Sequence, residues 1–114
     1  MHVHEKGQVA EGCKAAGGHF NPYQKPHGSP ESAERHVGDL GNIETDENGR
    51  VSVAIVDRMP RLYLTDNITE SLAHIIGRSV VIHAENDKFT GPSGDAGGRI
   101  GCGIIQEGVV AGNP

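Results

Sequence analysis

From Gly7 to His36 the chain has no hydrophobic period, neither the 3.6-residue repeat of a helix nor the alternation of a strand; it is a run of Gly, Pro, His, Asn and Ser. A loop of that length inside a compact domain is uncommon and is usually functional or disordered. This one holds His19, His27 and His36, so a functional loop is the better expectation. No other segment shows a convincing amphipathic helical period. The remainder reads as short strands over residues 2–5, 37–45 (interrupted by Gly38 and Gly41), 51–56, 79–84 and 99–105. Val51, Val53 and Ile55 alternate with Ser52, Ala54 and Val56, and Asp46–Gly49 (DENG) is a hairpin turn signal just before them. Residues 58–76 are ambiguous: Pro60 breaks any regular element, and Arg61–Leu64 could form a short edge strand. Residues 85–98 form a second Gly-rich loop, and the tail from Gly108 has no strong pattern. Short strands joined by long Gly-rich loops predict an all-β sandwich or barrel.

The chain has 17 Gly, no Trp and few aromatics, which excludes a large aromatic core. Folding must lean on β-branched strands, turns, and metals or a cross-link. A formal net charge of -5 argues against a general nucleic-acid binder, which needs a basic footprint. No apolar run approaches the length of a membrane span, and the polar start shows no signal peptide. Cys13 and Cys102 are too far apart for a CxxC motif. They are either two buried thiols or one long-range disulfide, and the poor core favours the disulfide.

The 7 His residues are the chemical signal. In His2-Val3-His4, residues i and i+2 of a strand share a face about 6.6 Å apart, so two imidazoles can converge on one metal; the bland alternative is a pair of surface histidines. His19, His27, His36 and Asp39 supply three nitrogens and a carboxylate oxygen, a sufficient tetrahedral set for zinc; the alternative is a polar, disordered loop. His83 ends a strand, with Asp87 four residues on. A lone His at a strand end is more often structural, and His83 gains weight only by meeting the others in space. His74 has no assigned role.

The segments HVHEKG, GCKAAGGHFNPYQKPHGSPESAERHVGDLGNIETDENG, IIGRSVVIHAEND and GDAGGRIGCGII resemble the copper/zinc superoxide dismutase family, eukaryotic type, from residue 2 to about residue 105. The resemblance implies a Greek-key β-sandwich or barrel (immunoglobulin-like) with two long metal-site loops. It implies copper on His2, His4, His19 and His83, and zinc on His19, His27, His36 and Asp39, with His19 bridging the two metals. Asp87 stands where the family has a carboxylate linking a copper His to a zinc His. Cys13 and Cys102 match the family's intrasubunit disulfide. Arg99 matches the anion-guiding arginine and, with His19, is a catalytic residue by resemblance. The implied activity converts superoxide anion to oxygen and hydrogen peroxide. The implied partners are a second copy, contacted near Ile76, Gly77 and Ile105, and a copper chaperone. Neither nucleic acid nor membrane is implied.

Three departures from the family bear on that expectation. Only Met1 precedes the HVH motif, where the family has three strands and most of a fourth. The chain therefore reads as an N-terminally truncated, partial domain over residues 1–114, expected to leave Val51, Val53, Ile55, Val81 and Ile100 partly unprotected. The Glu85–Gly98 loop is shorter than in the family, with Lys88 its only basic residue before Arg99, which predicts weaker steering or a more open copper. The Arg58–Ala73 segment is longer and holds Asn67-Ile68-Thr69, an N-glycosylation sequon that would mean secretion if modified. Cytoplasmic placement is favoured over extracellular. Two alternatives to an active dismutase are a truncated or non-catalytic metal-binding relative with little activity, and a copper-transfer module; retention of all four copper ligands favours the enzyme.

Overall fold

The computed structural model describes residues 1–108 apart from Val53, Tyr63 and Thr65. Three strands, β1 (His2–His4), β2 (Ser79–His83) and β3 (Arg99–Ile104), form one antiparallel sheet in the order β1-β2-β3. The β-branched run of β2 makes it the central strand. In the ladder His2 lies opposite Val81, which lies opposite Cys102; His4 lies opposite Ser79, which lies opposite Ile104. Opposed residues share a face, so the two histidines of β1 project from the same face as His83, two residues beyond Val81.

The β2–β3 ladder slips at its end. Ile82 pairs with Gly101 but His83 pairs with Arg99, which leaves Ile100 without a partner in the register. A regular ladder would set His83 opposite Ile100; the bulge re-aims the strand so that Arg99 comes onto the histidine face instead.

The outer edge of β1 is covered by the long loop. Val3 N–H donates to Gly38 O (2.9 Å), Val3 O accepts from Phe20 N–H (2.8 Å), and Gly38 N–H donates to Phe20 O (3.0 Å). Glu5 and Lys6 N–H donate to Gly18 O and Ala16 O, both at 3.0 Å. His2–Asp39 and His4–His19 form isolated antiparallel bridges. Only glycine allows the approach at 38, since a Cβ there would stand 2.1 Å from Val3 O. The opposite face of the sheet carries a small core of Val3, Phe20, Val37 and Ala73, with Leu40, Met59, Ile75, Val80 and Ile105 packed against it. Cys13 and Cys102 are joined in a disulfide, which ties the 3-10 turn Lys14–Ala16 to β3.

Several expectations need correction. Residues 37–45 form no strand, only the single bridge at Asp39. The described residues of 51–56 form none either, and Val51, Ile55 and Val56 are 38%, 39% and 89% exposed. Alternation alone was misleading there, because a strand also needs a neighbour to complete its ladder; Val53 lies outside the described residues. In the ambiguous segment Arg61 makes one parallel bridge to His74, and a single helical turn, α1 (Ile68–Ser71), follows Asn67, whose Oδ1 accepts from Glu70 N–H at 3.1 Å. Val81 is fully buried rather than unprotected, being central in the ladder between His2 and Cys102. The Asp46–Gly49 turn is present: Asp46 Oδ1 accepts from Asn48 and Arg50 N–H (2.8 and 2.9 Å). Among the described residues no helix is long and apolar enough to cross a membrane.

Candidate metal centre

His2 and His4 come from β1, His83 from the end of β2, and His19 from the loop segment bridged to His4. One ring nitrogen from each of these four lies within 4.8 Å of the others. A second group shares Asp39 Oδ1: His27 Nδ1 at 2.9 Å, His19 Nδ1 at 3.3 Å and His36 Nδ1 at 3.4 Å. His2 also falls within 4.8 Å of His19, His27 and Asp39, but its Nε2 is taken by Asp87 at 2.7 Å. His36 is the better fourth member, with Nδ1 3.2 Å from His19 Nδ1. His19 stands in both groups. His74 stands in neither.

For His2, His4, His27 and His83, outer hydrogen bonds decide which ring nitrogen faces inward. His4 Nδ1 donates to Gly17 O (2.8 Å) and His83 Nδ1 to Gly97 O (3.1 Å). His2 and His27 each donate Nε2–H to Asp87, at 2.7 and 2.8 Å. Such partners fix tautomer and ring orientation. The inward atoms are then lone-pair acceptors without donors. His2 Nδ1 and His19 Nε2 are buried with no hydrogen-bond partner, and His4 Nε2 faces His83 Nε2 at 3.4 Å, acceptor against acceptor. Buried acceptors left unpaired in this way are unfavourable unless a cation satisfies them. The residues therefore fit metals: an all-nitrogen set of the kind copper accepts, beside a three-nitrogen, one-oxygen set of the kind zinc accepts.

The electrostatics favour the neutral form of His2, His4, His36 and His83. Burial pushes His2 down to about 3, with His19 acting in the same direction and Asp87 opposing. Burial likewise pushes His4 down to about 4, and lowers His36 and His83. Burial alone would raise Asp39, but hydrogen bonds from His19 and from the backbone N–H of Gly28 and His36 outweigh it and bring the carboxyl to about 2. An imidazole depressed below its ordinary 6.5 contributes stability that is present above that value and lost as pH falls through the folded value. The metal-free chain is expected to lose stability steadily from about pH 6.5 toward 3–4, with Asp39 adding loss between 3.8 and about 2. Denaturant titrations at pH 7.5 and pH 5 check this; equal unfolding free energies would contradict it.

Residues of both loops and Arg99 open on one cleft of about 290 Å³, lined by His4, His19, His36, His83, Ser93 and Arg99. Arg99 Nη1 donates to Cys13 O at 2.8 Å, so the disulfide segment fixes the guanidinium. Sequence reading missed Arg35. It is buried, donates to Pro30 O, His36 O and Val37 O, and pairs with Asp57 at 2.8 Å, which fastens the His36–Asp39 turn. A charged residue one position before a candidate ligand carries no sequence signal of burial.

The copper/zinc superoxide dismutase profile matches residues 1–105. The chain belongs to the copper/zinc superoxide dismutase family. It is 44% identical over 112 residues to an extracellular superoxide dismutase [Cu-Zn] of Haemonchus contortus, covering 92% of this chain and 57% of that protein. It is 46% identical to superoxide dismutase [Cu-Zn] 5 of Dictyostelium discoideum, covering 92% and 69%. The crystal structure of the clock protein EA4 superposes with a TM-score of 0.80 at 42% identity, over 90% of this chain and 66% of that one. The fold is of the family's all-β sandwich class, of which the described strands form one antiparallel sheet, and the chain spans 57% of the Haemonchus relative's length. Copper and zinc are the family's metals, and relatives include proteins named extracellular.

Proposed function

We propose that this superoxide dismutase family member dismutates superoxide at copper held by His2, His4, His19 and His83, with zinc held by His19, His27, His36 and Asp39. The observation that carries the reading is His19, whose Nδ1 lies within 3.3 Å of Asp39 and whose Nε2 is buried and unpaired on the other side. One ring thus offers a nitrogen to each group. When bound, copper supplies the one-electron oxidation and reduction of superoxide.

The chain's own residues do the rest. Asp87 and the carbonyls of Gly17 and Gly97 keep the His2, His4 and His83 rings oriented with their lone pairs inward. Asp39 sets His19, His27 and His36 around one oxygen. His19 Nε2 is buried without a hydrogen-bond partner and is the atom at which a proton for hydrogen peroxide can be held. Arg99 lines the cleft as a fixed cation and draws in the anion. Homodimerisation near Ile76, Gly77 and Ile105, copper delivery by a chaperone and a cytoplasmic location belong to the same reading. Ile76 and Ile105 line a small cleft with Leu62.

The test is superoxide consumption by the copper- and zinc-loaded chain. The rate is expected to fall with ionic strength, and Arg99→Ala to lower it about tenfold or more, within the range of electrostatic steering. An unchanged rate at low salt removes Arg99 from the site. Full metal loading with no dismutation leaves the non-catalytic metal-binding relative instead.

A further inference from the structure

Gly94, in the second loop, is buried and has φ +78°. A Cβ at this position would stand 1.8 Å from Asp87 Oδ1 and 2.6 Å from His27 Nε2. Contacts that short require something to move. Asp87 is poorly placed to do so. Its Oδ1 accepts from His27 (2.8 Å) and Phe89 N–H (2.9 Å), and its Oδ2 accepts from His2 (2.7 Å). Its main chain is held as well: Asp87 N–H donates to Asn42 Oδ1 (2.6 Å), and Asn42 Nδ2 donates back to Asp87 O (3.0 Å). The glycine is equally fixed, since its carbonyl accepts from Lys88 N–H at 2.8 Å, while Lys88 Nζ donates to the Asp95 carbonyl and Thr90 Oγ1 to its carboxylate.

We propose that Gly94 is a positioning residue of the metal centre. The hydrogen at 94 lets the second loop close directly on Asp87 and hold its carboxylate between His2 and His27, one ring from each group. Gly94 acts only through Asp87. A side chain there displaces the carboxylate, frees both Nε2–H donors, and lets both rings turn. Losses of outer-shell partners of this kind lower metal affinity about 10–100-fold. The inference rests on the metal assignments proposed above.

Cobalt(II) binding to the full chain tests it, read by affinity and by the visible absorption of the bound ion. Gly94→Ala is expected to weaken cobalt about tenfold or more and to shift its absorption band. Gly91→Ala is the control: Gly91 has φ +59° in the same loop with open space around it, so it reports backbone strain alone and is expected to bind within about twofold of the parent. In an Asp87→Ala background the principal clash is gone and His27 is no longer held at Nε2, so adding Gly94→Ala is expected to change affinity less than about threefold. Parent-like binding by Gly94→Ala, an equal loss in Gly91→Ala, or a full repeated loss in the Asp87→Ala background overturns the proposal. If Gly94→Ala alone does not fold, the double variant decides: folding and binding like Asp87→Ala support the proposal, and failure to fold overturns it. A parent chain that binds no cobalt would instead sink the metal-site reading and this inference with it.

Discussion

Opening the Cys13–Cys102 disulfide is expected to destabilise the chain by about 4–5 kcal/mol, the chain-entropy value for a loop of this size. The two cysteines are 89 residues apart, so the bond restrains most of the unfolded chain. Its effect is large relative to a core whose fully buried members are Val3, Phe20, Val37 and Ala73. The expected fall in thermal midpoint is roughly 15 °C or more. The bond also fastens the Gly7–His36 loop to β3 at the end where Cys13 O accepts from Arg99. Reduction should therefore reduce the salt dependence of superoxide consumption as well as stability, because the freed guanidinium no longer stands fixed at the cleft. Thermal unfolding with and without reductant checks the first effect, with mass mapping to show the thiols free. An unchanged midpoint with both thiols free would contradict it.

Replacing His19 by alanine is expected to deprive the chain of both metals. The parent chain should hold one copper and one zinc. His19→Ala should fall well below one of each, because its Nδ1 lies beside Asp39 and His36 (3.3 and 3.2 Å) while its ring stacks 3.9 Å from His2. His2→Ala should lose mainly copper and His36→Ala mainly zinc, since each of those rings serves one group. Elemental analysis of the folded, reconstituted variants measures this. Full zinc retained by His19→Ala would remove the shared role. A loss of both metals from His2→Ala would instead mean that Asp87, which joins His2 to His27, couples the two groups more strongly than His19 does.

The errors in sequence reading share one cause. Val51, Ile55 and Val56 alternate as a strand should, yet they lie exposed and unpaired in any ladder, because pairing depends on what the fold places alongside. The one-turn helix at Ile68–Ser71 is too short to show a period. The cysteine pairing was left open by spacing, was favoured by the poor core and was strengthened by the family resemblance. Arg35, Asn42 and Gly94 were invisible for a related reason. Nothing in an arginine, an asparagine or a loop glycine marks it as the residue that fastens a ligand turn, clamps Asp87 or closes on its carboxylate; those roles are distances to atoms far away in the chain.

The sequence by itself determined the donor set and much of its grouping. Imidazole nitrogens and carboxylate oxygens are properties of residue types, and the i, i+2 spacing of His2 and His4 dictates a shared face on any strand. It also placed β1, β2 and β3 to within a residue or so at each end; in β2 the signal is the local β-branched run Val80–Ile82. Only the tertiary structure decided that His83 joins His2, His4 and His19, that the bulge at Ile100 brings Arg99 beside it, and which nitrogen of each ring faces inward. That last choice is made by hydrogen bonds to Gly17, Gly97 and Asp87, acceptors 13, 14 and 85 residues from the rings they orient. A ring nitrogen's direction is set by the partner on its far side, and the fold alone supplies that partner.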